Sequence, residues 1–313
     1  MVWVDTRMIG QHGIGRYARE VCDRLDVPWR PLDLTGTPSR PLSALSRVPR
    51  GLLYSPGYYA LVRAERQILT IHDLIQLQAP WPERAKFLAY YAAAVRPVVK
   101  KAGVVLTVSE TSRHEIAEWI RDPSVEIVNA GIGVSAAFHP GVAPAPADDP
   151  SLMYVGNLRA HKNIAVVLDA LPRVPGVHLR MLIPASEHDE ARRLAHARGI
   201  ADRVTLLSGL ADDELASHYR GAHATVMPSR LEGFGLPPLE SIMTGTPVIF
   251  WSGCAAVAET VADRGWAAER HDDPEEWAAL IAEAIERPRR VVADPSRYDW
   301  SRTAAMVSET LRR

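Results

Sequence analysis

Short apolar runs alternate with amphipathic segments along the whole chain. In the first half, runs with the length and composition of buried strands are separated by segments whose apolar residues recur at helical spacing. The same alternation returns in the second half, and it predicts an α/β protein with two Rossmann-like, doubly wound domains. The predicted strands are residues 2–4, 52–54, 68–71, 104–108, 125–128, 152–155, 178–183, 203–207, 224–227 and 247–250, and the clearest helices are 14–25, 85–101, 112–120 and 274–285.

A small, polar, proline-rich stretch at residues 141–150 interrupts this alternation near the middle of the chain. It has neither a helical nor a strand period, which is typical of a semi-rigid linker. We therefore predict a first domain over residues 1–143 and a second over residues 150–297. Ligands of doubly wound sheets bind at the carboxyl ends of the strands, so we expect the site in a cleft between the two domains.

Composition excludes several classes of protein. Hydrophobic residues make up 47% of the 313 residues and charged residues 23%, as in ordinary globular domains. The N-terminal residues lack an export signal, so we expect a cytoplasmic protein. Cys22 and Cys254 are far apart and lack metal-ligand spacing, which predicts buried thiols without a disulfide or zinc. The net charge of −1 and the lack of a dense basic cluster argue against binding of nucleic acid. A mild cationic surplus in the first half is compatible with an anionic acceptor or with peripheral membrane contact.

Two carboxylates bracket a glycine-rich turn in the second half, in the run of residues 232–240. Gly233 and Gly235 lack side chains, so backbone N–H groups there can approach a phosphate or a sugar closely. Prolines after Leu236 open a helix at the same point. Glu232 is predicted near a bound sugar together with Gly233 and Phe234. Glu240, expected in the first turn of the helix, is predicted to accept hydrogen bonds from a ribose diol.

A second candidate loop, residues 156–163, follows the first strand of the second domain. Lys162 in this loop is predicted to bind a diphosphate, because loops at the carboxyl ends of parallel strands bind ligands and a cation there suits phosphate. Gly235 and Leu236 are predicted to contact the same phosphates. A second cation is left open between Arg159, which we favour, and His161.

The run from Glu232 to Glu240 resembles the Glu-x7-Glu signature of retaining family-4 glycosyltransferases, the group 1 glycosyltransferases with the GT-B fold. The resemblance implies transfer of a hexose-type sugar from a nucleotide-diphosphate donor to an acceptor hydroxyl, without a metal or another cofactor. It implies a C-terminal helix, about residues 300–313, that crosses back to the first domain. Many members have arginine where this chain has Asn157, so the usual two-cation clamp is altered. The absence of Asp-x-Asp fits metal-independent chemistry.

Other positions gain a role from the same resemblance. Gly13 and Gly15 match a glycine loop whose amides reach the donor diphosphate, and His72, after the strand at residues 68–71, matches a histidine close to the transferred sugar. Gly209 and Leu210 follow a strand where these enzymes read the nucleotide base. Ser109 is predicted only to cap the helix after it.

The resemblance leaves the donor and the acceptor open. The acceptor is expected to be a glycan, a lipid-linked sugar or a small molecule in glycan or glycoconjugate biosynthesis, and a GDP-mannose-like donor is slightly favoured. One alternative is a GT-B nucleotide-sugar epimerase. A less favoured one is an NAD-dependent oxidoreductase that uses residues 13–18 as a dinucleotide loop and Asp33 for the ribose.

Overall fold

A computed structural model describes residues 1–10, 13–34, 41–79, 82–146 and 150–313. The chain divides into two compact units. Unit 1 comprises Met1–Gly133 with Ser296–Arg313, and unit 2 comprises Val134–Pro295. The predicted linker thus falls within unit 2, and its residues 147–149 lie outside the described part of the chain.

Unit 1 is built on parallel strands flanked by helices. The elements are β1 (Val2–Val4), α1 (Gly13–Cys22), β2 (Trp29–Pro31), β3 (Leu52–Ser55), β4 (Arg66–Leu69), α2 (Ile75–Gln78), α3 (Arg84–Tyr90), a π-helical segment (Tyr91–Val95), α4 (Arg96–Ala102), β5 (Val104–Thr107), α5 (Glu110–Ile120), β6 (Glu126–Asn129) and the final helix α12 (Trp300–Arg312). One sheet has the strand order β2-β1-β3-β4, a second ladder pairs β5 with β6, and a bridge between Thr70 and Leu106 joins the two.

Helix α12 packs within unit 1, against α1. The ring of Trp300 meets that of Tyr17 edge-on at 6.1 Å, and the backbone of Asp26 donates to Ser308 Oγ at 3.0 Å. A Cβ on Gly133 would lie 2.4 Å from the Trp300 ring, so only glycine lets the chain pass there. The last helix therefore completes the core of the unit that contains the first residues.

Unit 2 is built on a six-stranded parallel sheet with helices between its strands. The elements are β7 (Ser151–Val155), α6 (Ile164–Ala170), β8 (His178–Leu182), α7 (His188–His196), β9 (Val204–Leu207), α8 (Asp212–Gly221), β10 (Ala224–Met227), α9 (Leu236–Met243), β11 (Val248–Trp251), α10 (Ala255–Val261), β12 (Gly265–Ala268) and α11 (Pro274–Glu286). The strand order is β12-β11-β10-β7-β8-β9, the doubly wound Rossmann order. The chain order reverses between β7 and β10, which are neighbours in the sheet.

The prediction of two Rossmann-like α/β halves is confirmed, but two strands were missed. β2 and β12 are the outer strands of their sheets. β2 includes Pro31, which a sheet tolerates only at an edge, and β12 is composed of glycine, tryptophan and alanine, so neither shows the branched apolar run of a central strand. The first helix is also shorter than predicted, since it ends at Cys22.

Among the residues described, no helix has the length and apolar character needed to cross a bilayer. Cys22 and Cys254 are free and buried, as predicted.

Candidate functional site

The loop after β7 is held in a fixed turn by its own side chains. Tyr154 Oη donates to the carbonyl oxygen of Asn157 at 2.7 Å, and Asn157 Oδ1 accepts from the backbone N–H of Arg159 at 3.1 Å. A Cβ at Gly156 would lie 2.7 Å from Tyr154 Oη, so this turn requires glycine. Asn157, which stands where many members of the resembled family have arginine, therefore acts here as a turn residue.

Glu187 was not singled out in the sequence, yet it fixes the same loop. It lies in the connection after β8, and its Oε2 accepts from the backbone N–H of Leu158 at 2.7 Å. The two residues are 29 positions apart and meet because β7 and β8 are adjacent and parallel. Since no motif of the sequence includes Glu187, only the strand order could have revealed this contact.

The loop after β10 lies against the loop after β7. The backbone N–H of Arg230 donates to the carbonyl oxygen of His161 at 2.7 Å, and its guanidinium donates to that of Ala160 at 3.2 Å. These bonds join the two loops at the position where the sheet reverses its order, which is where doubly wound folds bind ligands. Arg230 is a further cation beside the predicted ones, and its signal in the sequence was its place two residues before Glu232.

Lys162 and Glu232, predicted separately for the diphosphate and the sugar, form an ion pair. Lys162 Nζ lies 2.6 Å from Glu232 Oε1, and the two side chains are only 14% and 10% exposed. A pair that is this shielded from water is attracted more strongly than one on an open surface. The structure thus brings both predicted residues to one point, each already held by the other.

His161 is surrounded by positive charge. Burial, together with the nearby charges of Lys162, Arg159 and Arg230, lowers the pKa of His161 from 6.5 to about 4, while the charge of Glu232 acts in the opposite direction. The imidazole is therefore neutral near neutral pH, whereas arginine stays charged. Of the two candidates for a second cation, Arg159, which is exposed, is therefore the one that suits a phosphate.

The turn before α9 requires glycine at its last position. Gly235 has a φ of +88°, and a Cβ there would lie 2.9 Å from Pro238 Cγ. Because prolines follow at positions 237 and 238 and have no N–H, the amide donors at this helix start come from Gly235 and Leu236. The carbonyl oxygen of Phe234 accepts from Thr260 Oγ1 at 3.2 Å, which fixes the residue between the two glycines.

Glu240 lies in the second turn of α9, so its expected place in the first turn was wrong. The difference arises because the helix already begins at Leu236, ahead of both prolines. Glu240 is 4% exposed, and its Oε2 accepts from Tyr219 Oη at 3.2 Å. Tyr219, itself fully buried, was not identified from the sequence.

Gly209 and Leu210 follow β9, the edge strand of the unit 2 sheet on the side opposite β12. Gly209 is exposed with a φ of +68°. Since β8 lies between β9 and β7, these residues are displaced along the carboxyl edge by two strand spacings, roughly 10 Å. The structure does not join them to the Lys162–Glu232 pair through any bond that it records.

The predicted residues of unit 1 lie on their own sheet. Gly13 begins α1, and a Cβ on Gly15 would lie 2.6 Å from the backbone nitrogen of Gly10. His72 is 8% exposed, its Nε2 lies 3.0 Å from the carbonyl oxygen of Pro56, and its ring meets that of Tyr17 edge-on at 4.7 Å. The side chain of Ser109 accepts from the backbone N–H of Ser112, so its predicted role as a helix cap is confirmed.

Within the described ranges, no group of three or more histidine, cysteine, aspartate or glutamate side chains is placed to hold a metal ion. Metal independence stays a prediction.

Comparison with known proteins places this geometry in context. The model of the family described as Glycosyl transferases group 1 matches residues 137–305. The D-inositol 3-phosphate glycosyltransferase of Thermobispora bispora is 30% identical over an alignment 336 residues long, gaps included, which covers 90% of this chain and 77% of that protein. The O-antigen chain mannosyltransferase B of Escherichia coli is 28% identical over 252 residues, 75% of this chain, and the alignment spans 65% of its length, just under two thirds.

Similarity also extends to solved structures. Anabaena Alr3699/HepE, solved in complex with UDP and glucose, matches 99% of this chain and 98% of its own with a TM-score of 0.72. At 15% sequence identity this match shows a shared fold.

Proposed function

Because the chain belongs to the group 1 glycosyltransferases and has the GT-B fold, we propose that it is a retaining, metal-independent hexosyltransferase that uses a nucleotide-diphosphate sugar and no other cofactor. The observation that carries the proposal is the Lys162–Glu232 pair at the carboxyl ends of β7 and β10. It combines a cation suited to a diphosphate with a carboxylate suited to sugar hydroxyls in one shielded position.

Donor binding exchanges the partners of this pair. The diphosphate carries more negative charge than one carboxylate, and it takes the place of Glu232 at Lys162, with Arg159 nearby as a second cation. Glu232 is then released to accept hydrogen bonds from the sugar. The amides of Gly235 and Leu236 complete the phosphate contacts, and Gly233 and Phe234 line the sugar.

Transfer follows a front-face course. The bond between the anomeric carbon and the diphosphate oxygen breaks while the acceptor oxygen approaches the same face of the sugar. The proton of the acceptor hydroxyl passes to the departing phosphate oxygen, so the sugar keeps its anomeric configuration. Lys162 stabilises the charge on that phosphate, a contribution of about 3–4 kcal/mol for one preorganised donor. Glu232 orients the sugar and forms no covalent bond with it.

The remaining predicted residues take supporting roles in this proposal. Glu240, with Gly209 and Leu210, binds the nucleoside. His72 contacts the transferred sugar, and Gly13 and Gly15 offer amides to the diphosphate. For these roles the support is the family resemblance, and for Glu240 also its placement near the glycine turn, in the helix that follows.

The names of the relatives narrow the substrates. One of them is named as a mannosyltransferase, which supports a hexose donor and leaves a GDP-mannose-like donor slightly favoured, and another is named as a D-inositol 3-phosphate glycosyltransferase. We propose a glycan, lipid-linked or small-molecule acceptor in glycoconjugate biosynthesis, at a cytoplasmic location where the chain makes at most peripheral contact with a membrane. The comparisons lend no support to the epimerase or the NAD-dependent oxidoreductase.

The test is a donor screen with GDP-, UDP-, dTDP- and ADP-sugars and NAD in the presence of EDTA. Slow release of free sugar and nucleotide from one donor is expected, and it should be lost in Lys162→Met. Lys100→Met is the matched control, since Lys100 is also paired with a carboxylate, that of Asp122, but on an exposed surface of unit 1. Binding of NAD alone, or conversion of the donor to an isomer, would overturn the proposal.

A further inference from the structure

A second group of cations lies at the opposite edge of the unit 2 sheet from the Lys162–Glu232 pair. Hydrogen bonds join the amino-terminal ends of β10, β11 and β12 to the segment after α11, whose sequence contains Arg287, Arg289 and Arg290. A cavity of about 170 Å³ opens there, and its lining residues are Gly221, His223, Pro288, Arg289 and Arg290.

The arginines of this cavity are held in place by backbone oxygens. Arg290 donates to the carbonyl oxygens of Ala222 at 3.2 Å and Arg220 at 2.9 Å. Arg289 donates to the carbonyl oxygen of Gly265 at 2.6 Å, and its guanidinium lies 4.4 Å from the centre of the Trp266 ring. These contacts fix the direction of both side chains without neutralising their charge, because every partner is uncharged.

No carboxylate in the described part of the chain lies within 4.0 Å of Arg220, Arg289 or Arg290. The neighbouring Arg287 differs, since it has Glu283 at 3.8 Å. Burial, and after it the charge of Arg220, lowers the pKa of Arg290, as expected for cations crowded together without a counter-ion. The guanidiniums of Arg289 and Arg290 line the cavity, and the charge of Arg220 acts on Arg290 as well, so this region has positive charge that an anion would balance.

His223 adds a neutral donor. Its Nδ1 accepts from the backbone N–H of Ser151 at 3.4 Å, which leaves the proton on Nε2. Burial, with the charge of Arg290, lowers the pKa of His223, so the ring stays neutral near neutral pH. A neutral N–H and the arginine forks together suit an oxyanion with several acceptor oxygens.

We propose that this cavity, which we call the arginine pocket, binds a phosphate group away from the donor site. Arginine forks match phosphate oxygens in pairs, and a volume of 170 Å³ exceeds the roughly 30 Å³ that one water occupies, so a group of several atoms fits. The phosphate belongs either to a soluble ester or to a lipid headgroup. Val292, 88% exposed beside the pocket, would meet the apolar part of a membrane surface in the second case.

The experiment titrates the full chain with pyrophosphate while the backbone amide NMR signals of Gly221 and His223 are followed, which separates this pocket from the donor site. Saturable shifts are expected. Arg289→Gln should raise the dissociation constant about tenfold, as the loss of a charge-assisted hydrogen bond predicts. Arg287→Gln, an equal change of charge outside the pocket, should change it less than about twofold. Donor hydrolysis should stay the same in both variants, so failure here is distinguishable from failure of the proposed transferase.

A second measurement identifies the source of the phosphate. Cosedimentation with phosphatidylglycerol vesicles, absent with phosphatidylcholine vesicles and weakened by Arg289→Gln, assigns a lipid headgroup, and pyrophosphate binding without cosedimentation assigns a soluble ester. Arg289→Lys, which keeps the charge but loses the fork, serves if Arg289→Gln unfolds, and it should also weaken binding. The proposal is wrong if neither pyrophosphate nor anionic vesicles bind, or if Arg287→Gln weakens binding as much as Arg289→Gln.

Discussion

Lys162 Nζ and Glu232 Oε1 lie 2.6 Å apart although 70 positions separate the two residues in the chain. Both side chains are mostly shielded from water, and the ion pair between them holds each in place. If donor binding separates them, the two residues have opposite effects on the affinity for the diphosphate. Substituting Lys162 removes a contact to the diphosphate, whereas substituting Glu232 removes the group that competes with the diphosphate for Lys162.

The first prediction uses this asymmetry. Lys162→Met should lower kcat/KM about 10²–10³-fold, which is typical for the loss of one charge-stabilising donor. Glu232→Gln should also lower kcat, but it should bind the free nucleoside diphosphate more tightly than the wild type. Titration calorimetry with the nucleoside diphosphate of the identified donor measures this directly. Equal weakening of diphosphate binding in both variants would show that the pair does not open.

The second prediction concerns His161 and pH. Its pKa is lowered from 6.5 to about 4 in the folded protein, so the unfolded chain takes up the proton more readily between these values. Stability should therefore fall as the pH is lowered through this window. His161→Gln should remove this part of the loss, so the difference in the free energy of unfolding between variant and wild type should change between about pH 6.5 and about pH 4.

Chemical denaturation at a series of pH values measures that difference. The charged groups around His161 are Lys162, Arg159, Arg230 and Glu232. An NMR titration in which the His161 ring takes up its proton near pH 6.5 would contradict the assignment.

The third prediction separates the nucleoside from the diphosphate. Glu240→Gln should weaken binding of the nucleoside diphosphate about tenfold, because a charge-assisted hydrogen bond to the ribose is lost. It should leave pyrophosphate binding at the donor site unchanged. Tyr219→Phe removes the hydroxyl that donates to Glu240, and it should reproduce a weaker form of the same effect. If pyrophosphate and nucleoside diphosphate lose affinity equally, Glu240 acts through the fold alone.

The fourth prediction compares two glycines with left-handed backbone. Gly235 has a φ of +88° and a Cβ there would meet Pro238 at 2.9 Å, whereas Gly209 has a φ of +68° with no atom within 4 Å of the added Cβ. Both alanine variants pay a backbone penalty of about 1–2 kcal/mol. Gly235→Ala should lose more stability than Gly209→Ala, because the helix start must also shift. Thermal unfolding of both variants measures the difference in stability. Equal losses of stability would show that Pro238 can move away from the added Cβ at no cost.

Local patterns determined much of this protein. Apolar runs and helical spacing indicate which residues are buried, which is why the two α/β halves and most central strands were predicted. Glycine and proline indicate which backbone conformations a segment can adopt, so the turn at Gly235 and the helix after it were predicted from the sequence. The loop containing Lys162 was found because it directly follows a predicted strand, and strand ends are where such sheets bind ligands.

Only the tertiary structure decided which of these local features meet. The pair of Lys162 with Glu232, the bond from Leu158 to Glu187 and the bond from Arg230 to His161 all depend on which strands are neighbours. Strand order is set by packing between distant segments, so no window of sequence contains it. The neutral state of His161 follows from the same packing, because burial and surrounding charge, not the residue type, determine its pKa.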